Sequence, residues 1–112
     1  MLMLIKQIKL QGIALAEASG LKIDDVLDVV NNGAIACPMF AIKGPQMQAG
    51  NYPTAFPLKH AQKDMKLALL LADELGVPLP TSAAANEQYK RAKGKGRGDD
   101  DFASVHSNYR EF

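Results

Sequence analysis

Cysteine is nearly missing from this chain. Cys37 stands alone among 112 residues, which excludes an internal disulfide or a cysteine-rich zinc site and favours a reducing compartment. An excess of charge of one sign is missing as well. Thirteen lysines and arginines face twelve aspartates and glutamates, for a formal net charge of +1, so bulk electrostatics point neither to nucleic acid nor to an anionic membrane. Long apolar runs are absent: Leu67 to Ala72 is the longest uninterrupted one, far short of the roughly 20 residues that cross a bilayer. Met1 to Leu10 is apolar but broken by Lys6 and Lys9, with neither a basic leader nor a small-residue cleavage pattern behind it, and so reads as a poor signal peptide. The expectation is a soluble, cytoplasmic chain, any organelle-targeting peptide belonging to a longer parent. No stretch alternates with a period of two, and there is no internal repeat or long linker. The remaining class is a single all-α domain, small but long enough to bury a core.

What is present is helical periodicity. Leu4, Ile5, Ile8, Gly12, Leu15 and Ala16 recur at helical spacing and stop at Gly20-Leu21, a left-handed end followed by its apolar contact. Ile23, Val26, Leu27 and Val30 predict a short second helix, with Asp24 and Asp25 in its first turn and Gly33 beyond its end. Between Gly33 and Phe56 the prolines and glycines at 38, 44, 45, 50 and 53 predict a packed loop holding one or two helical turns. The strongest helix is expected from about Pro57 to Leu75, on the repeat Ala61, Met65, Ala68, Ala72, Leu75, closed by Gly76-Val77-Pro78. A further helix capped by Thr81 or Ser82 should reach about Lys93, and Asp99 to Asp101 should open a last short one to about Tyr109.

Most motifs that suggest chemistry have a plainer explanation. Between Lys90 and Asp101 five basic residues and three glycines give way to three aspartates, as expected where one helix ends and the next begins. Gly94, Gly96 and Gly98 follow a helix, not a strand, so they read as a flexible turn and not as a phosphate loop. His60 and His106 lack a second ligand at i+4 and read as surface or packing histidines. Cys37 reads as a buried structural thiol. The segment Phe56 to Met65 is different: Lys59 and Lys63 share a face at the start of an apolar helix, directly after an aromatic ring. That combination suits an anion and a flat ring, such as the end of a dinucleotide, although a solvated charged face would show the same spacing.

The order of several such pieces resembles the C-terminal domain of the β-hydroxyacid dehydrogenases. The pieces are Phe56, Leu58, Lys63-Asp64, Leu67-Ala68, Gly76 to Pro80, Ala83 to Glu87, Tyr89, Ala92 and Asp101 to Val105. Upstream, Gly12 to Gly20, Asn31 to Ile35, Pro38 to Phe40 and Lys43 to Pro45 follow in the same order. Within that family the pattern is similar to glyoxylate or succinic semialdehyde reductases, then to 3-hydroxyisobutyrate dehydrogenases.

The resemblance implies an all-α, multi-helix domain like the C-terminal domain of 6-phosphogluconate dehydrogenase-like enzymes, spanning residues 1–112. It implies a site in which Lys63 contacts NAD or NADP, Phe56 lines the pocket and Asp64 holds it in shape. The implied parent is an oxidoreductase that passes a hydride to a small aldehyde or oxo acid, with this domain binding only part of the cofactor and forming a homo-oligomer. The glycine-rich strand-turn-helix that holds a pyrophosphate has no counterpart here. Nor has the family's catalytic lysine, since no glycine stands four residues before Lys6 and Lys9 occupies the place of the expected asparagine. This chain is therefore expected to be inactive alone. A non-catalytic oligomerisation or interaction module, or a fragmentary gene product, is the alternative.

Overall fold

The computed structural model describes residues 11–34 and 36–110. The apolar positions Leu4, Ile5 and Ile8, like Lys6 and Lys9, lie outside the described residues. Among the described residues five α-helices succeed one another: α1 (11–18), α2 (Ile23–Asn32), α3 (Pro38–Ala49), α4 (Leu58–Glu74) and α5 (Pro80–Ala92). A short turn over Lys93–Arg97 leads to a 3-10 helix at Phe102–Tyr109. Among the described residues there is no strand, and an isolated bridge joins Pro57 to Asp101. The all-α reading holds.

The core lies where α4 and α5 meet the 3-10 helix. Leu58 and Ala61 from α4, Tyr89 and Ala92 from α5, and Ala103 and Val105 are wholly buried there. The contacts that fix its register are polar. Gln62 Nε2 donates to Asn86 Oδ1 at 3.1 Å across the α4–α5 seam, and Asn108 Nδ2 donates to the Gln88 carbonyl at 2.7 Å. Both bonds satisfy groups that would otherwise be costly to bury. At the other end Arg110 ties the structure together, its Nη2 donating to Glu17 Oε1 at 2.7 Å and to the Gln48 carbonyl at 2.6 Å.

Three local expectations need correction. The stretch predicted as a loop contains α3, a helix of three turns. Pro38 starts it, where a missing N–H costs nothing, and Phe40, Lys43, Gly44 and Met47 form its buried stripe. Packing outweighs the breakers: a Cβ at Gly44 would stand 2.6 Å from Leu27 Cδ2, so glycine is what lets α2 and α3 approach. Next, α5 is not capped by Thr81 or Ser82, because Pro80 occupies its first position, Leu79 precedes it, and Ser82 is buried inside the helix. Last, α1 turns Ile13 and Ala16 inward and leaves Leu15 largely exposed. Gly20, Gly33 and Gly76 do mark helix ends, and α4 runs within one residue of the expected span.

Candidate functional site

The first N–H groups of α4 are claimed by the chain that returns alongside it. A helix leaves its leading amides unpaired, and α4 has no side-chain cap. Instead the Leu58 N–H donates to the Asp100 carbonyl and the Lys59 N–H to the Gly98 carbonyl, each at 2.9 Å. The turn that makes this return possible contains Gly96 at φ 83°, a conformation side chains resist. The helix N-terminus is thus occupied, and recognition of an anion at this end falls to side chains.

Beneath it lies a buried aspartate. Asp101 Oδ2 accepts from the N–H groups of Ala55 at 3.0 Å and Phe56 at 3.2 Å, while Oδ1 accepts from Ala103 at 3.1 Å and pairs with Lys43 Nζ at 3.0 Å. Burial pushes its pKa upward, but the Ala103 amide, the Lys43 ammonium and the Ala55 and Phe56 amides outweigh it, and the carboxyl lies below its ordinary range. The Phe102 N–H donates back to the Phe56 carbonyl at 2.9 Å, so Phe56 is held on both sides of its peptide unit. Lys43 also lies 5.3 Å from the centroid of the Phe102 ring. Lys43 and Asp101 escaped the sequence reading. The available signals were a lysine at i+3 from Phe40 and an aspartate directly before a new helix.

Above this base sit the residues singled out from the sequence. Phe56 is partly exposed, its ring 6.1 Å from that of His60. Lys59 and Lys63 project from successive turns of α4, but they have different engagements. Lys59 pairs with Asp99 of the returning chain, and that hydrogen bond, followed by the charge of Lys59, lowers the pKa of Asp99. Among the described residues Lys63 pairs with its own neighbour, Asp64 Oδ1, at 3.1 Å, with both side chains about half exposed. Phe56 thus lies beside His60 in the first turn of α4, and the Lys63–Asp64 pair follows one turn later, with Lys63 the more exposed of the two lysines. Within the charge run before Asp101, Lys90 pairs with Glu87 and Arg97 with Asp100. His106 is a buried packing residue away from this edge: its Nδ1 lies 3.5 Å from the Tyr52 hydroxyl. Cys37 is half-buried.

Residues 2–109 match the family described as NAD-binding of NADP-dependent 3-hydroxyisobutyrate dehydrogenase. The chain is 54% identical over 95 residues to glyoxylate/succinic semialdehyde reductase 1 of Arabidopsis thaliana, covering 85% of this chain and 33% of that protein. It is 43% identical over 96 residues to the cytokine-like nuclear factor N-PAC of Aedes aegypti, covering 86% of this chain and 17% of that protein. The crystal structure of 3-hydroxyisobutyrate dehydrogenase from Salmonella typhimurium superposes with a TM-score of 0.87 at 25% identity, covering 95% of this chain and 37% of that one. The chain thus spans about a third of the length of the Arabidopsis reductase it matches.

Proposed function

The chain belongs to the family described as NAD-binding of NADP-dependent 3-hydroxyisobutyrate dehydrogenase, and from that premise we propose that it is the C-terminal, cofactor-contacting domain of an oxidoreductase. The reaction is reduction of a small aldehyde or oxo acid of the glyoxylate or succinic semialdehyde kind. The observation that carries this reading is the available ammonium of Lys63 at an edge whose aromatic neighbour is fixed by a buried aspartate. Such an edge fits one end of a nicotinamide dinucleotide. Phe56 offers an apolar wall, Lys63 donates hydrogen bonds to oxygen atoms of the cofactor, and Asp64 holds the ammonium in place until the cofactor arrives. The bound dinucleotide supplies the hydride. No Gly-rich strand-turn-helix is found in the sequence, so the adenosine and pyrophosphate portions fall to a nucleotide-binding domain outside it.

The reading is tested by fusing the chain to the nucleotide-binding domain of the Arabidopsis reductase. The chimera should reduce glyoxylate or succinic semialdehyde with NADPH or NADH, whereas the 112-residue chain alone should not. Lys63→Ala in the chimera should weaken cofactor binding by about 1–3 kcal/mol, as for a hydrogen bond to a charged group. An unchanged dissociation constant would remove Lys63 from the site. The similarity to a nuclear factor favours a second reading, a non-catalytic interaction module. A chimera that binds the cofactor but never turns over would support it.

A further inference from the structure

Helices α4 and α5 run antiparallel, and between the first half of α4 and the end of α5 lies an open trough of about 690 Å³. Its volume is that of a small-molecule site. Gln62 and Lys66 line it from successive turns of α4, Asn86 and Lys90 from successive turns of α5, and Lys93 and Gly94 from the turn that follows. Three of these six residues are lysines and none is acidic, in a chain whose thirteen basic residues face twelve acidic ones. Cations suit the C-terminal end of a helix dipole, which accounts for Lys90 and Lys93. It does not account for Lys66, which stands mid-helix on α4 and lines the same trough. Among the described residues neither Lys66 nor Lys93 makes an ion pair, and Lys90 pairs with Glu87 in an exposed bond that exchanges at small cost. The floor is an amide pair. Gln62 and Asn86 are each more than nine-tenths buried, and Gln62 Nε2 donates to Asn86 Oδ1 at 3.1 Å. That bond orients the Asn86 amide and leaves its Nδ2 without a partner among the described residues.

We propose that this trough binds a dianionic phosphate group, carried by a small phosphomonoester or present as the free anion. Three ammonium groups gathered on one trough repel one another, and a buried NH2 group without an acceptor is costly; one multiply charged anion relieves both. A carboxylate offers two oxygens and a single charge. A phosphate dianion offers three or more oxygens and two charges, which matches three lysine ammonium groups above one amide donor. Lysine serves such a ligand as a compact point charge on a flexible stem, so the three can close on it from both helices. Their aliphatic stems leave an apolar wall for the remainder of an ester. None of the lining residues would repel the anion. Phe56, Lys63 and Asp64 do not line the trough. The phosphate site and the dinucleotide edge therefore share no residue, and either stands without the other.

Calorimetric titration of the whole 112-residue chain, at neutral pH and constant ionic strength, tests the site with glycerol 3-phosphate and inorganic phosphate as probes and acetate as the control. Both phosphates should bind saturably, one per chain, and acetate should not. Tighter binding of glycerol 3-phosphate assigns the trough to an organic phosphate, and equal affinities assign it to the free anion. Lys66→Gln with Lys93→Gln should raise the dissociation constant about tenfold or more, the scale of a lost charged hydrogen bond. Circular dichroism and thermal unfolding without phosphate should not change, because both side chains are exposed. Lys22→Gln with Arg91→Gln removes the same charge from exposed positions that do not line the trough. It should weaken binding by less than about twofold, since charges remote from the ligand are screened. Lys63→Gln should leave binding as it is. Absence of saturable binding, acetate bound as tightly as phosphate, or a Lys66/Lys93 variant that binds like the wild type would overturn the site. An equal loss on substitution of Lys22 and Arg91 would reduce it to bulk electrostatics, and a loss on Lys63→Gln would move the anion to the dinucleotide edge; each overturns it as well.

Discussion

Two lysine–aspartate pairs of nearly equal length are found near the start of α4, Lys43–Asp101 at 3.0 Å and Lys63–Asp64 at 3.1 Å. Distance does not distinguish them; surroundings do. In the first, the side chains are 5% and 0% exposed, and three backbone amides share the carboxylate. In the second they are 60% and 49% exposed, and the two residues are neighbours in sequence. A buried pair is unforgiving, because removing one partner leaves an unsolvated charge behind. An exposed pair contributes little to folding and can be exchanged for a ligand at small cost. The first is thus suited to hold the site and the second to act in it.

The comparison breaks if the two pairs respond alike to truncation. The largest effect is expected from Asp101→Ala, which strands the Lys43 ammonium and the amides of Ala55, Phe56 and Ala103. It should cost about 3–5 kcal/mol in urea denaturation, enough to unfold much of a small domain. Lys43→Met should cost less, about 1–3 kcal/mol, because Asp101 keeps its three amide donors and the methionine fills the vacated stem volume. If Asp101→Ala were as mild as a surface change, the segment through Phe56 would owe its shape to something other than this carboxylate.

The buried Lys43 also shows where the sequence ceased to be legible. Helices α2 and α4 were readable because most of their inward positions are apolar side chains at helical spacing, and the last short helix because Asp101 stands at its start. In α3 the same interval exists, at Phe40, Lys43, Gly44 and Met47, but two of its four members are a charge and a glycine. The lysine is inside because Asp101 waits for it 58 positions along the chain, and the glycine because Leu27 needs the space. Neither partner is visible from within the segment. The same holds for the site. Spacing drew attention to Phe56, Lys59 and Lys63 on one short stretch, and the family resemblance singled out Phe56, Lys63 and Asp64. Their support could not be named, because Asp101 acts through tertiary hydrogen bonds. The capping of α5 failed for a local reason: Pro80, pre-shaped for a first helical position, displaced the better hydrogen-bonding residues that follow it.

Acid provides a graded version of the same contrast. His106 is wholly buried, and burial, reinforced by Arg110 and opposed by the charge of Glu17, lowers its pKa below the ordinary 6.5. At neutral pH it is uncharged, and the 4.0 Å approach of its Nε2 to Glu17 is not an ion pair. A histidine with a lowered folded pKa contributes stability that is full above its unfolded value and is lost as pH falls through the folded one. Asp101, also lowered, follows the same sign from the ordinary 3.8 downward. Stability should be level from neutrality to the start of the tyrosine range, decline gently below about pH 6.5, and fall again below the carboxylate range. His106→Gln should remove the first decline and leave the second, as monitored by thermal unfolding across pH. A single transition unaffected by that substitution would mean that the histidine is already relieved in the folded state.

The smallest effects belong to the exposed pair, and they sharpen the comparison most. Lys63→Ala and Asp64→Ala should each change folding stability by no more than about 0.5 kcal/mol, the scale of a solvated ion pair. The family resemblance gave Asp64 a share in holding the pocket in shape. In the structure the amides of Ala55 and Phe56 are held by Asp101, while Asp64 contacts Lys63. The two substitutions should therefore be indistinguishable by urea denaturation and different only with cofactor present in the chimera. There the loss of Lys63 removes a donor, whereas the loss of Asp64 removes a competitor for that donor and so weakens binding less, or strengthens it. A cost near that of Lys43→Met for Asp64→Ala would show that its carboxylate supports the helix start after all, and would move the second pair into the same class as the first.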